Sequence, residues 1–441
     1  METRTLLAVT GNPVLHSKSP LMFNHVFNQG KIAATYFRIA ANSAEEAMFL
    51  FREAGLTGMN VTAPFKKDIM AELDHIDSAA EKIGGVNTIA RLEHGISGFN
   101  TDHIGVARSI EAITGPLTNK HCVVLGAGGA GRAAAYGLIA KGADVIIVNR
   151  TLAKAEDAAQ KLGCAAASLD RLKELLAGAD VLVSSLSSGV EVVQPDWLRQ
   201  DLVVLDANYK SSMLAEHARA TGCQLARGED WLLYQAIPAY RHFMNSNPAD
   251  NWMKQALDKT NPLGDKRTVI SLTGFMGTGK SSVAKLLGEK LNYQVVDSDD
   301  LLEKKAGITI PEIFKTKGEE YFRKLEKEIV NELLDHKLNN TVISWGGGVV
   351  IDQENRQKIK EHSLGIWLFA RPWKNLELIK DGTRPLLNVE DPGETARKIF
   401  LGRRGYYAEA ADLMVNSDCE FHNPISIAEK IYEEIRQTFK N

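Results

Sequence analysis

Short apolar, β-branched runs alternate along this chain with longer segments of helical spacing. The runs are "TLLAV", "ATYFRIA", "CVVLGAG", "DVIIVNR", "ADVLVSS", "LVVLDAN", "TVISLTG", "NYQVVD", "NTVISWGG" and "LGIWLFA". Near-continuous apolar strands are those buried on both faces, so the pattern predicts an α/β protein of parallel sheets flanked by helices. It breaks at "ALDKTNPLGDKRTVI": helical spacing fades by Lys259, an Asn-Pro and a Gly follow, and a new strand begins near Thr268. A domain boundary is therefore expected at about residue 262, with residues 263–441 folding around a sheet of their own. A second junction, "ITGPLTNKH", divides the first part into pieces of about 1–112 and 113–262.

With 441 residues the chain has room for more than one core. It is 44% hydrophobic and 24% charged, with a formal net charge of -3, a balance that points away from nucleic acid and anionic membranes as partners. Cys122, Cys164, Cys223 and Cys419 show no metal-binding or disulfide spacing, and no apolar run matches a signal peptide or a membrane span. These features favour a soluble, reduced, cytoplasmic protein.

Two glycine loops supply the first chemistry. In "HCVVLGAGGAGRAAA" a strand runs into Gly126-x-Gly128-x-x-Gly131 and then a helix, which lets backbone amides of Gly126, Ala127, Gly128, Gly129 and Ala130 meet a pyrophosphate. Taken alone, this spacing also fits a simple tight turn. The next strand ends in "NRT", and Asn149, Arg150 and Thr151 stand where a carboxylate would hold a ribose 2'-hydroxyl. A cation there suits a 2'-phosphate, so NADP(H) is expected over NAD, although Arg150 also reads as a solvated residue at a helix start. Upstream, "GNPVLHSKSP", "MNVTAPFKK", "GVNTI" and "GFNTDHIG" bring Ser17, Ser19, Lys66, Asn87, Asn100 and Asp102 to loop positions and Asn60 and Thr62 to a strand end. Singly these are helix caps or surface charges; together they make a polar pocket with one lysine and one carboxylate, a pair able to move a proton while a nicotinamide moves hydride.

Over these motifs, and on through "NTD", "GAGGAG", "NRT" and "LYQA", the first part resembles shikimate dehydrogenase. The resemblance implies an α/β substrate domain followed by a Rossmann NADP domain. It implies Lys66 and Asp102 as catalytic residues, Ser17, Ser19, Thr62, Asn87, Tyr209 and Gln235 for substrate, and Gly228 beside the nicotinamide. The reaction implied is the NADPH-dependent reduction of 3-dehydroshikimate to shikimate. This chain departs from the family in "DANYKSSML", which lacks the proline and threonine usual after the tyrosine, and in "GEDWLLYQ".

The second loop, "SLTGFMGTGKSS", fits Gly274-x-x-x-x-Gly279-Lys280-Ser281 between a strand and a helix. Amides of Gly277, Thr278, Gly279 and Ser282 with Lys280 would neutralise β- and γ-phosphates, and the Ser281 hydroxyl would hold a magnesium ion. Asp297 and Asp299 end the next strand in "VVDSDD", where one carboxylate reaches the magnesium shell and the other a substrate hydroxyl. Arg323 and Glu326 share a helix face in "EEYFRKLEKE", either as an anion grip or as an ordinary surface pair. Gly346, Gly347 and Gly348 offer bare backbone, and Arg384 lies in "KDGTRPLL", a segment with the composition of a closing loop.

In this order, from about Lys266 onward, the motifs resemble shikimate kinase, a P-loop fold with a parallel sheet. The resemblance implies Asp299, Arg323, the glycine triplet and Arg403 for shikimate, with Lys280, Ser281, Asp297 and Arg384 serving ATP, Mg2+ and the transition state. Arg403 is preferred to Arg404 because it stands four residues before Tyr407. A single chain would then make shikimate and phosphorylate it to shikimate 3-phosphate. The alternative is a quinate or shikimate dehydrogenase fused to a kinase for another small polyol.

Overall fold

The computed structural model describes residues 4–186, 189–207, 212–258, 263–266, 268–335, 338–374 and 389–439. The chain folds into two compact units, one of them built from two separate stretches of sequence. One combines Met1–Ala63 with Asp258–Asn441; the other is Pro64–Leu257.

In chain order the first unit opens with β1 (Thr5–Gly11), β2 (Ala34–Ala40) and β3 (Gly58–Val61), joined by the helices Ser19–Gln29 and Ala44–Glu53. The second unit carries β4 (His75–Ile76), β5 (Thr88–Leu92) and β6 (Gly95–Phe99), then β7 (His121–Leu125), β8 (Asp144–Asn149), β9 (Ala165–Ser168), β10 (Val181–Ser184), β11 (Val203–Asp206) and β12 (Gln224–Ala226). The chain then returns to the first unit with β13 (Val269–Thr273), β14 (Gln294–Asp297), β15 (Thr341–Ser344), β16 (Leu364–Phe369) and β17 (Leu413–Asn416).

Within Pro64–Leu257, β7 to β12 form a six-stranded parallel sheet in the order β12-β11-β10-β7-β8-β9, the doubly wound arrangement of a Rossmann fold. Alternate side chains feed two cores: Val124, Ile147, Val183 and Leu205 pack with Ala134 and Leu138 on one face, Leu125, Val148, Leu182 and Val204 with Leu172 and Leu176 on the other. Residues 64–112, expected to belong with the N-terminal piece, fall within this unit, where their strands β4, β5 and β6 pair with one another. The helix Asp102–Thr114 lies so close to its neighbours that a Cβ on Gly137 would meet the His103 carbonyl oxygen at 2.2 Å, and one on Gly105 would meet Trp231 at 2.6 Å.

In the other unit the strands run parallel in the order β14-β15-β13-β16-β17-β2-β1-β3. The P-loop part therefore does not close on a sheet of its own: β17 pairs with β2, matching Leu413 with Arg38, Met414 with Ile39 and Val415 with Ala40. β2, β16 and β17 are buried along their full lengths, which accounts for their unbroken apolar sequence. The polar exception is compensated. Lys360 Nζ lies 2.9 Å and Lys266 Nζ 3.5 Å from the Asp412 carboxylate, and Arg38 donates to the Asp412 carbonyl at 3.3 Å. Burial alone would raise the Asp412 carboxyl, but Lys360, Lys266 and Arg38 hold it below its ordinary value. Burial lowers the Arg38 guanidinium to about 10. Among the described residues no helix is long and apolar enough to cross a membrane.

Candidate active sites

The Pro64–Leu257 unit contains a proton-transfer pair and a nucleotide cleft. Lys66 follows β3 in an irregular stretch, and its carbonyl accepts the Val86 amide at 2.8 Å. Asp102 opens a helix, where unpaired amides favour a carboxylate. The two side chains meet at 2.6 Å, largely shielded from solvent. Asn100 accepts the Asp102 amide at 3.1 Å and donates to the Gly85 carbonyl at 2.8 Å, fixing the helix start that carries the carboxylate. Beside this pair in sequence, the Asn87 amide group donates to Thr101 Oγ1 at 3.0 Å and to Gln235 Oε1 at 3.3 Å, and Asn87 Oδ1 accepts the Thr101 amide at 2.7 Å. Thr101 is a member of this buried network that the motif reading passed over, although it sits inside the quoted "NTD".

At the end of β7, Gly126 has φ +109°, and a Cβ on Gly131 would meet the Gly126 carbonyl oxygen at 1.9 Å. Only glycine at that position lets the loop fold back onto the helix Gly129–Ile139. A cleft of about 670 Å³ opens there, lined by Ala127, Gly128, Asn149, Arg150 and Thr151 among others. Arg132 and Lys154 line it too, two cations the sequence reading did not assign. Lys154, three residues beyond Thr151 on the next helix, was legible by spacing from "NRTLAK"; Arg132 was hidden behind the glycine motif. Gly228 is the first residue of the helix Gly228–Met244 and is not among the cleft's lining residues. Tyr209 lies outside the described residues.

Ser17, Ser19 and Thr62 belong to the other unit. Ser19 is buried and its amide donates to Ser17 Oγ at 3.3 Å, while Thr62 is packed against Gly11, where an added Cβ would meet the threonine methyl at 2.4 Å. Tyr36 donates to Asn60 Oδ1 at 2.7 Å, and burial pushes its hydroxyl well above the usual tyrosine value.

The same unit holds the P-loop. Gly277 and Gly279 adopt φ of +80° and +75°, and the helix Lys280–Leu291 follows directly. The Lys280 ammonium donates to the carbonyls of Gly274 at 3.0 Å and Phe275 at 2.9 Å, so it is folded over the loop it would serve. Ser281 donates to Asp297 Oδ2 at 2.7 Å, bringing a hydroxyl and a carboxylate together at the helix start. Two hard oxygen donors of this kind fit a magnesium ion that keeps most of its waters. Among the described residues there is no group of three or more His, Cys, Asp or Glu side chains that would make an all-protein metal cage.

Asp299, Arg323 and the glycine triplet converge. A Cβ on Gly346 would meet Asp299 Oδ1 at 2.7 Å, and one on Gly348 would meet Arg323 Nη1 at 2.4 Å. Arg323 is paired with Glu326 at 2.8 Å and Glu319 at 3.1 Å, so the pair is a half-buried network and not a plain surface contact. Burial pushes the Glu326 carboxyl up to about 7; Arg323 and Arg403 pull it down, and Asp299 pushes the same way as burial. Burial works against the Arg323 charge, yet Glu326 and Glu319 hold it above its ordinary value. Tyr407 donates to the Gly347 carbonyl at 2.6 Å with Arg403 beside its hydroxyl, whereas Arg404 points to the Ala54 carbonyl at 3.4 Å. Of the two arginines, Arg403 lies beside the tyrosine that bonds the middle glycine. Tyr407, which bonds the middle glycine, was used in the sequence reading only to count back to an arginine. Arg384 lies outside the described residues.

Comparison with known proteins divides the chemistry along the chain, not by unit. Residues 9–89 match the shikimate dehydrogenase substrate binding domain, residues 108–209 the shikimate / quinate 5-dehydrogenase family, and residues 276–439 shikimate kinase. The shikimate dehydrogenase (NADP(+)) of Pyrococcus abyssi is 34% identical over 251 residues, covering 56% of this chain and 94% of that protein. That of Aquifex aeolicus is 36% identical over 244 residues, covering 54% of this chain and 90% of its own. The crystal structure of the Aquifex aeolicus enzyme superimposes with a TM-score of 0.56 at 32% identity, over 59% of this chain and 99% of that one. The Thermus thermophilus enzyme, solved with NADP(H) and shikimate, gives 0.53 at 29% identity, over 57% and 98%.

Proposed function

The chain belongs to the shikimate dehydrogenase family and carries a shikimate kinase domain in its last part, and we propose that it reduces 3-dehydroshikimate to shikimate with NADPH and then phosphorylates shikimate with ATP to shikimate 3-phosphate. The observation that carries the reading is the Lys66–Asp102 pair at 2.6 Å, a proton donor held by a carboxylate in the unit that also contains the dinucleotide cleft.

For the reduction, NADPH supplies the hydride. The Lys66 ammonium supplies the proton to the oxygen of the ketone as it becomes a hydroxyl, and Asp102 orients Lys66 Nζ and balances its charge. Asn87 and Gln235 orient the substrate's hydroxyls, with Ser17, Ser19, Thr62 and Tyr209 as further binding groups. Glycine amides of the first loop meet the pyrophosphate, and Arg150 with Lys154 and Arg132 favours a cofactor bearing a 2'-phosphate.

For the phosphorylation, Asp299 orients the accepting hydroxyl, while Arg323, Arg403 and the backbone of Gly346, Gly347 and Gly348 hold the substrate's carboxylate end. Lys280 and the amides of Gly277, Thr278, Gly279, Ser281 and Ser282 bind the phosphates, and Arg384 balances charge on the transferred group. Ser281 and Asp297 would hold Mg2+, which neutralises phosphate charge.

Steady-state assays of the whole chain test the reading, first with 3-dehydroshikimate against NADPH and NADH, then with shikimate and ATP. Turnover of both pairs with NADPH preferred is the expected result. Faster oxidation of quinate than of shikimate, or no phosphoryl transfer to shikimate, would replace it with a dehydrogenase and polyol kinase of other specificity.

A further inference from the structure

Between β1 and the helix Ser19–Gln29 the chain makes the loop that carries Ser17 and Ser19. Val14 and Leu15 in this loop are fully buried, and both their amides donate to one oxygen of Glu434, at 2.8 and 3.0 Å. Glu434 lies 420 residues away on the helix Pro424–Thr438, inside the segment that matches shikimate kinase, and is 1% exposed. Further along the loop the Ser17 carbonyl accepts two bonds from Arg38, at 2.6 and 3.2 Å, and Arg38 is itself bonded to the Asp412 carbonyl on the kinase side of the β17–β2 seam. The loop is thus gripped at both ends, once directly by a kinase carboxylate and once through a strand that a kinase strand holds.

We propose that Glu434 is a positioning residue for the dehydrogenase: the kinase segment supplies the carboxylate that sets the Ser17–Ser19 loop. This rests on the reading of Ser17 and Ser19 as substrate-binding groups. A carboxylate accepting two backbone amides is a charge-assisted contact, and its removal leaves two buried donors without an acceptor. Those donors regain partners only if the loop moves, and a displaced loop misplaces the two hydroxyls. The Glu434 carboxylate is offset in charge by Lys430, 3.7 Å away, which also donates to the Ala41 carbonyl.

Two measurements on the full chain separate this inference from the functional reading beneath it. Backbone amide exchange needs no substrate: Val14 and Leu15 should be strongly protected in the wild type and should exchange about tenfold faster or more in Glu434→Ala or the volume-keeping Glu434→Leu. Glu434→Gln, which keeps an acceptor oxygen, should restore most of the protection. Kinetics then ask whether the loop matters to the reaction. In the apolar variants KM for 3-dehydroshikimate should rise about tenfold, with KM for NADPH and the kinase constants changed less than about twofold and Gln again rescuing. Val14 and Leu15 amides that exchange in the wild type like open loop amides would overturn the proposal without any variant, as would unchanged exchange in both apolar variants. Faster exchange with an unchanged KM would also overturn it, since the grip would then have no catalytic consequence. A wild type that binds and turns over some other acid would instead sink the functional reading, while the exchange data would still decide whether Glu434 holds the loop.

Discussion

The two glycine loops of this chain look alike in sequence and do different physical work. Both need glycine for close approach and for backbone shape: a side chain at Gly131 would fall on the carbonyl of Gly126, whose own φ is +109°, and one at Gly274 would meet the Leu368 carbonyl oxygen at 2.5 Å, while Gly279 has open space but a φ of +75°. Their charges are what differ. The first loop carries no cation of its own before Arg132, and the cleft draws Arg150 and Lys154 from after the next strand. The P-loop brings Lys280 within its own turn and a Ser281–Asp297 pair beside it. Hydride transfer leaves the cofactor's phosphates untouched, so cations near them decide only which cofactor binds. Phosphoryl transfer changes charge at the phosphate itself, and the cation must stand in the loop.

That contrast is broken most severely by removing the groups nearest each reaction. Lys66→Ala should lower dehydrogenase kcat by about 10²- to 10⁴-fold with NADPH binding nearly intact and kinase turnover unchanged. A wild-type reduction rate in that variant would take lysine out of the mechanism. Asp299→Asn should cost the kinase about 10²-fold or more in kcat while ATP still binds at the P-loop, measured by a coupled assay and by ATP titration. Loss of ATP binding in step with turnover would mean that Asp299 supports the loop and not the acceptor.

A smaller effect sharpens the account of the first loop. Arg150→Ala should raise KM for NADPH by about 10-fold and leave KM for NADH nearly unchanged, because the charge-assisted contact exists only where the 2'-phosphate does. Lys154 and Arg132 line the same cleft and should retain part of the preference, so the double variant Arg150→Ala with Lys154→Ala should lose more than either alone. Equal losses for both coenzymes would assign Arg150 to the fold.

How much of this was written legibly in the chain depends on how local each feature is. The Rossmann sheet and the P-loop follow from contiguous motifs, because the residues that make each turn are neighbours in sequence. The seam does not. β17 is four residues long, "LMVN", too short to register as a period, and it lies between β16 and β2, the second partner far upstream. Arg38 sits in the middle of "ATYFRIA" and reads as an ordinary strand residue until Asp412, 374 positions away, is brought to it. The choice between Arg403 and Arg404 turned on a count of residues in the sequence; in the structure one arginine stands by Tyr407 and the other turns to Ala54. A fragment beginning at about residue 263, for which the sequence predicts a sheet of its own, would leave the paired edge of β17 and the buried Asp412 without Arg38.

The least of the expected effects concerns Glu326, and its sign follows from burial. The carboxyl is raised from 4.5 to about 7 in the folded chain because it is desolvated, with Asp299 adding to the rise and Arg323 and Arg403 opposing it. A raised folded value means that the folded chain binds the proton more tightly than the unfolded chain does. The stability this contributes is fully present below about pH 4.5 and is lost as pH rises through about 7. Melting of the unit that holds the kinase motifs should therefore drop between about pH 5 and about pH 7.5 by about 2–4 °C more in the wild type than in Glu326→Gln, in which that proton is absent. Titration of other groups is common to both proteins and cancels in the difference. Arg323→Met should steepen the wild-type trend, since removing the nearest cation pushes the carboxyl further up. Parallel pH profiles for wild type and Glu326→Gln would show that the Arg323 pair offsets burial in full, and the acidic network beside the glycine triplet would then act as a fixed charge over this range.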